Sequence, residues 1–173
     1  MAMLRDREDI SARALEFTIL TTARTGEVIG ARWDEFDLKQ RLWTVPGDRM
    51  KSGRDHRVPL SNRAIEILQS QKRKGSHVFP LSNMAMLTLL HRMGRGDLTV
   101  HGFRSSFRDW CAERTNYPHE LAEMALAHIV SDKTEKAYRR GDMFEKRRQL
   151  MDAWAMFCAQ PIVNRRAVVP LHG

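Results

Sequence analysis

Six residues of this chain have the types and the order needed for phosphoryl transfer. They are Arg24, Lys51, His101, Arg104, His128 and Tyr138. Tyr138 supplies an oxygen nucleophile, although a phenol is weakly nucleophilic at neutral pH because its ordinary pKa is about 10. Neighbouring cations would make that oxygen more reactive. The set therefore predicts a site that breaks a phosphodiester by side-chain attack, without a metal ion.

The other five residues match the remaining demands of such a reaction. Charge on the two non-bridging oxygens must be stabilised, and the leaving alkoxide must receive a proton. Arg24 and Arg104 suit the first task because a planar guanidinium binds phosphate through two parallel hydrogen bonds. His101 and His128 can bind phosphate and exchange protons near neutral pH. Lys51 lies in a basic loop and is predicted to be the acid, because crowding cations ease the loss of its proton.

Taken singly, these residues also have ordinary interpretations. Tyr138 could lie on a helix surface, and Lys51 shares its loop with Arg49 and Arg54, where solvated charge is common. Tyr117 is a poor nucleophile candidate because Asn116-Tyr117-Pro118 is typical of a turn. The histidines without a partner pattern are interpreted as structural or surface residues: His56, His77, His91, His119 and His172.

Composition indicates a single basic domain that meets a polyanion. The 173 residues include 29 Lys and Arg against 21 Asp and Glu, with a pI of about 10.1. Cys111 and Cys158 form no C-x-x-C pair, so buried thiols are expected rather than a zinc site or a disulfide. No cofactor is expected. The charged start at 1–10 is unlike a signal peptide, and no apolar run could span a bilayer, which favours a cytoplasmic location.

The hydrophobic pattern predicts an α+β fold that is mainly helical. Helices are expected at 9–23, 25–33, 61–74, 83–93, 102–114, 120–127, 142–159 and in the segment that carries Tyr138. Strands are expected at 41–45 and 56–60, joined by a basic hairpin loop at 46–54. A short third strand at 77–79 would complete a small antiparallel sheet. Thr25 and Ser61 are predicted to cap helices.

Five sequence runs resemble the catalytic domain of the tyrosine recombinases, in particular the phage and genomic-island integrases. They are Ala23-Arg24-Thr25-Gly26-Glu27-Val28, Met50-Lys51-Ser52-Gly53 with His56-Arg57-Val58-Pro59-Leu60, His101-Gly102-Phe103-Arg104, Leu126-Ala127-His128 and Ala137-Tyr138-Arg139-Arg140. They occur in family order across residues 23–140, and Glu145-Lys146-Arg147-Arg148 to Trp154 is similar as well. Each run alone is weak evidence, whereas the ordered set is specific.

The resemblance implies a role for each matched residue. Tyr138 would attack the scissile phosphate to give a 3′-phosphotyrosyl link, which stores the bond energy. Arg24, Arg104, His101 and His128 would bind the phosphate, and Lys51 would protonate the 5′-oxygen. Glu27 is expected to orient an arginine or histidine without acting directly. Arg49, Arg54 and Arg139 are the expected DNA contacts.

The resemblance also implies partners and domain limits. Residues 1–160 would be the catalytic domain, and 161–173 a tail that is flexible or docks in trans; an N-terminal DNA-gripping domain would normally precede them. The expected partners are duplex attachment sites, other protomers in a synaptic tetramer, and accessory DNA-bending or excision proteins, with no membrane. Two alternatives stay open, namely a non-catalytic DNA-binding or excision-control protein and a type IB topoisomerase.

Overall fold

The computed structural model describes residues 1–128 and 141–161, and most of their regular structure is helical. The helices are α1 Ala2–Arg5, α2 Ile10–Thr21, α3 Thr25–Ile29, α4 Asn62–Ser70, α5 Ala85–Arg92, α6 Gly102–Arg114, α7 His119–Ala125 and α8 Phe144–Ala159. Strands β1 Phe36–Asp37, β2 Leu42–Val45 and β3 His56–Pro59 form an antiparallel sheet in the order β1-β2-β3. The predicted fold class, mainly helical with one small three-stranded sheet, is confirmed. None of the described helices combines the length and apolarity needed to cross a bilayer.

The third strand of the sheet is not the predicted one. Residues 77–79 do not join the sheet, and His77 forms an isolated antiparallel bridge with Arg32. The sheet instead gains β1, where Phe36 pairs with Trp43 and stacks on its ring at a centroid distance of 5.4 Å. This cross-strand aromatic pair stabilises a strand too short to show an alternating pattern in the sequence.

Helix caps were predicted with mixed success. Ser61 caps α4 as expected, because its side chain accepts a hydrogen bond from the Ala64 N–H. The predicted cap at Thr25 is wrong, since Arg24 occupies the N-cap position of α3. The Glu27 carboxylate accepts the Arg24 backbone N–H at 2.8 Å, so an acidic side chain within the helix satisfies this end.

Helix α2 lies at the centre of the core and supports the segment that leads to Arg24. Its Phe17 ring contacts Trp43 of β2 and Phe79, at centroid distances of 5.6 and 5.4 Å. On another side, Trp154 of α8 donates its indole N–H to the Ile19 carbonyl at 2.8 Å. Because α2 is held by both the sheet and α8, its C-terminal end is a firm support for side chains.

The two cysteines are buried and free, as the sequence predicts. Burial raises the pKa of both Cys111 and Cys158 to about 12. Their thiolate forms are therefore scarce at neutral pH, which fits inert core residues.

A fully buried carboxylate anchors α1 and α4 to α2. Glu16 has no exposed surface, and its oxygens lie 3.2 Å from Arg5, 2.9 Å from Arg13 and 2.8 Å from Arg63. Burial opposes ionisation of Glu16, but the hydrogen bonds and charge of Arg63, joined by Arg5 and Arg13, outweigh it and hold the pKa below 4.5. The ion pairs therefore stabilise the fold above the pKa of the unfolded chain, and acidification through the lower folded-state pKa removes that stabilisation.

We expect Glu16→Gln to lower the free energy of unfolding at neutral pH by about 1.5–3 kcal/mol, the scale of a lost hydrogen bond to a charged group, because three partly buried guanidinium groups lose their counter-charge. The difference from the wild type should shrink as the pH falls below about 4, where an ordinary glutamate is protonated. Urea unfolding at several pH values measures both effects. Glu66→Gln, which removes an exposed pair with Arg63, is the control and should cost under about 1 kcal/mol. A pH-independent loss in Glu16→Gln would contradict this electrostatic account.

Candidate functional site

The Arg104 guanidinium joins three separate parts of the fold. It projects from α6, is only 5% exposed, and donates through Nη2 to the Leu126 carbonyl at 2.6 Å. Its Nη1 donates to the Thr22 carbonyl at the end of α2. The buried Nε finds no hydrogen-bond partner within the described residues. Leaving a buried donor unpaired costs about 1–3 kcal/mol. An anion that accepts a hydrogen bond from this guanidinium would remove that cost.

Arg24 and Arg104 lie close enough to repel each other. Burial, and then the charge of Arg24, lower the Arg104 pKa to about 10, while Glu27 and Glu123 oppose the shift. Arg104 still carries its charge at neutral pH. An anion between the two guanidinium groups would relieve both the desolvation and the repulsion.

A buried carboxylate holds Arg24 in place. Glu27 is 6% exposed, and its Oε1 lies 2.7 Å from Arg24 Nη1, while Oε2 accepts the Arg24 backbone N–H. About a third of the Arg24 side chain stays exposed. The geometry is that of the orienting contact expected for Glu27, and the effect of this contact on catalysis remains a prediction.

His128 lies beside Arg104 at the end of α7. Its Nε2 is 3.3 Å from Arg104 Nη2, and its Nδ1 is 2.7 Å from Glu123 Oε2. The structure therefore brings together Arg24, Arg104, His128 and Glu27 from α3, α6 and the end of α7.

His101 and Lys51 are exposed and make fewer contacts. His101 precedes α6, where its carbonyl accepts the Arg104 N–H at 3.0 Å. Lys51 lies in the turn between β2 and β3. Neither side chain forms a hydrogen bond or ion pair within 1–128 and 141–161. Their roles at the phosphate remain predictions.

The expected DNA contacts differ in their surroundings. Arg49 is bound to the protein, with Nη2 2.6 Å from Glu35 Oε2 and Nη1 3.3 Å from the Glu27 carbonyl. Arg54 is exposed in the hairpin. Tyr138 and Arg139 lie outside the described residues, so the predicted nucleophile and one predicted DNA contact are not placed.

Sequence reasoning assigned His56 to structural or surface positions, and the structure places it at the edge of the site. Burial lowers the His56 pKa to about 4, and the charges of Arg147 and Arg104 contribute to this shift. The charge of Glu27 and a hydrogen bond with the Ala125 backbone oppose it. The ring is therefore neutral at neutral pH and borders the site. Its place just after the basic hairpin was the only signal, and a single histidine on a strand is normally structural.

Sequence reasoning gave Arg147 no role, and the structure shows that it anchors the start of α8 to β3. This guanidinium is 2% exposed and binds the Asp142 carbonyl at 2.8 Å, the Asp142 carboxylate at 2.8 Å and the Arg57 carbonyl of β3 at 2.5 Å. His128 is held at Arg104, and Arg147 is held at β3, the strand that carries His56. No spacing rule in the sequence reveals such an anchor.

The described residues contain no group of three histidine, cysteine, aspartate or glutamate side chains arranged to hold a metal ion. The site therefore offers two guanidinium groups, histidines, and carboxylates that orient them. Such an arrangement binds and polarises a phosphate.

Comparison with known protein families agrees with this fold and this site. The sequence profile of the Phage integrase family matches residues 2–144. The match covers most of the chain and includes Arg24, Glu27, Arg104 and His128, so this chain belongs to the Phage integrase family.

Curated relatives carry integrase names. Prophage integrase IntA of Escherichia coli (strain K12) is 36% identical over 149 residues, covering 79% of this chain and 36% of the relative. Prophage integrase IntZ of the same organism is 34% identical over 153 residues, with 82% and 38% covered. The integrase of Enterobacteria phage P4 is 28% identical over 169 residues, with 82% and 38% covered. The chain thus spans little more than a third of each relative, and no solved structure gives a significant match.

Proposed function

We propose that this chain is the catalytic domain of a site-specific DNA recombinase that cuts and rejoins duplex DNA. The single observation that carries the proposal is the Arg104 guanidinium, which is buried, has a donor without a partner among the described residues, lies beside Arg24 and contacts His128. A protein maintains such desolvated charge where an anion completes it. Family membership indicates that the anion is a DNA phosphate.

The proposed reaction forms one ester while breaking another. The Tyr138 oxygen attacks phosphorus and loses its proton to a histidine of the site. The bond from phosphorus to the 5′-oxygen breaks, and Lys51 gives that oxygen a proton. Attack by a 5′-hydroxyl of a partner strand reverses these steps, releases Tyr138 and joins the two DNAs. The energy of the ester bond is conserved throughout, so ATP is not needed. The arginines stabilise the developing charge in this proposal, so a divalent metal is not needed either.

Arg24 and Arg104 stabilise the charge that develops on the non-bridging oxygens. Their positions are set before substrate arrives, because Glu27 holds Arg24 and two backbone carbonyls hold Arg104. Fixed donors need little rearrangement during the reaction, which makes them effective catalysts. His101, one helical turn before Arg104, completes the proposed phosphate-binding set.

The wider assembly follows from the same proposal. Residues 1–160 form the catalytic domain in this proposal, and the predicted tail lies almost entirely outside the described residues. The partners are duplex attachment sites, further protomers in a synaptic tetramer, and accessory DNA-bending or excision proteins, in the bacterial cytoplasm. Arg54 and Arg139 contact the DNA backbone.

A nicked suicide duplex tests the proposal directly. Cleavage near the nick releases a short fragment, which diffuses away and traps the covalent complex. We expect a denaturant-stable adduct between the protein and the 3′-phosphate of the cut strand. Binding without an adduct would instead indicate a non-catalytic DNA-binding protein. Religation of the same strand, with no exchange between two duplexes, would indicate a topoisomerase.

We further expect adduct formation to proceed at an unchanged rate in excess EDTA, because the proposed charge stabilisation comes from arginine rather than from a metal ion. The measurement compares single-turnover cleavage with and without the chelator. A metal-dependent nuclease acting on the same duplex is the control that shows the chelation is complete. Loss of cleavage that added Mg²⁺ restores would overturn the metal-free mechanism.

A further inference from the structure

Glu123 connects the site to the outer face of α7 through an unbroken set of contacts. Its Oε2 lies 2.7 Å from His128 Nδ1, and its Oε1 lies 2.9 Å from Arg108 Nε of α6. His119 approaches Oε1 at 3.5 Å and Arg108 Nη2 at 3.0 Å. Only 16% of the Glu123 side chain is exposed, so the carboxylate is largely shielded from solvent.

These contacts fix the tautomer of His128. Burial opposes ionisation of Glu123, but the hydrogen bond from His128 and the nearby charge of Arg108 outweigh it and lower its pKa. An ionised carboxylate can only accept a hydrogen bond, so His128 Nδ1 carries the proton. On the other side of the ring, Arg104 can only donate, so Nε2 presents its lone pair.

We propose that Glu123 is a positioning residue that holds His128 as the Nδ1–H tautomer and presents Nε2 to the reacting phosphate. This inference rests on the proposed function, because it assumes that His128 acts on a DNA phosphate. Glu123 itself touches no substrate. Arg108 in turn orients Glu123, so α6 contributes to the site through both Arg104 and Arg108.

Glu123→Gln is a sharp test because its amide has one acceptor and one donor. The positive charge of Arg108, whose Nε lies 2.9 Å from Oε1, attracts the amide oxygen and leaves the NH₂ group facing His128 Nδ1. The ring must then accept at Nδ1 and carry its proton on Nε2, which opposes the N–H of Arg104. The variant therefore reverses the tautomer with little change of shape.

Two measurements follow. Nitrogen-15 NMR of the histidine rings at about pH 8, where an ordinary histidine is neutral, should place the His128 proton on Nδ1 in the wild type and on Nε2 in Glu123→Gln. Single-turnover cleavage of the suicide duplex at saturating DNA should fall about 10–100-fold, the scale for losing the carboxylate partner of a functional histidine. The dissociation constant for DNA should stay within about twofold, because Glu123 contacts no phosphate in this proposal.

The matched control is Glu66→Gln, which removes an ion-paired glutamate from α4 and should change neither the tautomer nor the rate. Wild-type cleavage by Glu123→Gln would overturn the inference and leave the proposed function intact. A slower rate with an unchanged tautomer and a lowered melting temperature would also overturn it, since the role would then be structural. Absence of any adduct in the wild type would instead refute the proposed function.

Discussion

Tyr138→Phe should reduce the amount of covalent adduct with the suicide duplex at least about 10³-fold relative to the wild type. The substitution removes only the phenolic oxygen, and without it no bond to phosphorus can form. DNA binding should persist, because the cations that hold the phosphate backbone are unchanged. Gel separation under denaturing conditions measures the adduct, and a mobility shift under native conditions measures binding. Loss of binding together with cleavage would contradict the assignment of Tyr138 as nucleophile.

The chain offers a matched control for this experiment, because it contains only two tyrosines. Tyr117 packs partly buried against the core, in the turn between α6 and α7. Tyr117→Phe should therefore cleave at the wild-type rate, with at most a small loss of stability. If Tyr138→Phe keeps its adduct and Tyr117→Phe loses it, the nucleophile is Tyr117 and the proposed mechanism must be revised.

Arg104→Ala should lower the single-turnover cleavage rate by roughly 10²–10³-fold, the scale of removing one fixed charge-stabilising donor. The effect should appear at saturating DNA, since Arg104 is one of many cations that contribute to binding but is central to the developing charge. Quench-flow measurement of adduct formation gives the rate. A change smaller than about threefold would mean that Arg104 is not at the phosphate.

Because Arg104 also holds the Thr22 and Leu126 carbonyls, its truncation also weakens the fold. Arg104→Lys separates the two roles, since it keeps a charge but loses the forked geometry of the guanidinium. We expect Arg104→Lys to melt closer to the wild type and still cleave at least about tenfold slower. Arg95→Ala removes an exposed arginine paired with Asp97 and is the control, with unchanged cleavage.

Local features of the fold were predictable where short-range chemistry decides them. Ser61 caps α4 because its hydroxyl reaches an N–H three residues along, and the basic hairpin between β2 and β3 follows from turn residues between two apolar runs. The edge strand β1 was not predictable, because Phe36 gains its partner Trp43 only when β2 is in place. The cap of α3 was missed because Glu27 satisfies it from within the helix.

Three of the predicted site residues, Arg24, Arg104 and His128, lie together in the structure, but the contacts that hold them could not be predicted. The residue types and order of Arg24, Arg104 and His128 suffice to predict phosphate chemistry, since few side chains can do it. The partners of these residues depend on distant contacts. Glu123 and Arg147 look like ordinary helix charges in the sequence, and only folding places them on His128 and on β3.

The sequence by itself therefore determined the chemical class of this protein, its basic character and its helical, one-sheet architecture, because these depend on residue type and local spacing. The tertiary structure alone decided that Arg104 is buried with a donor left unpaired by the described residues, that His56 borders the site as a neutral ring, and that Glu123 lies within hydrogen-bonding distance of His128. Such properties arise from desolvation and from charges on separate helices. They exist only once long-range packing has removed water and brought those charges within a few ångströms of each other.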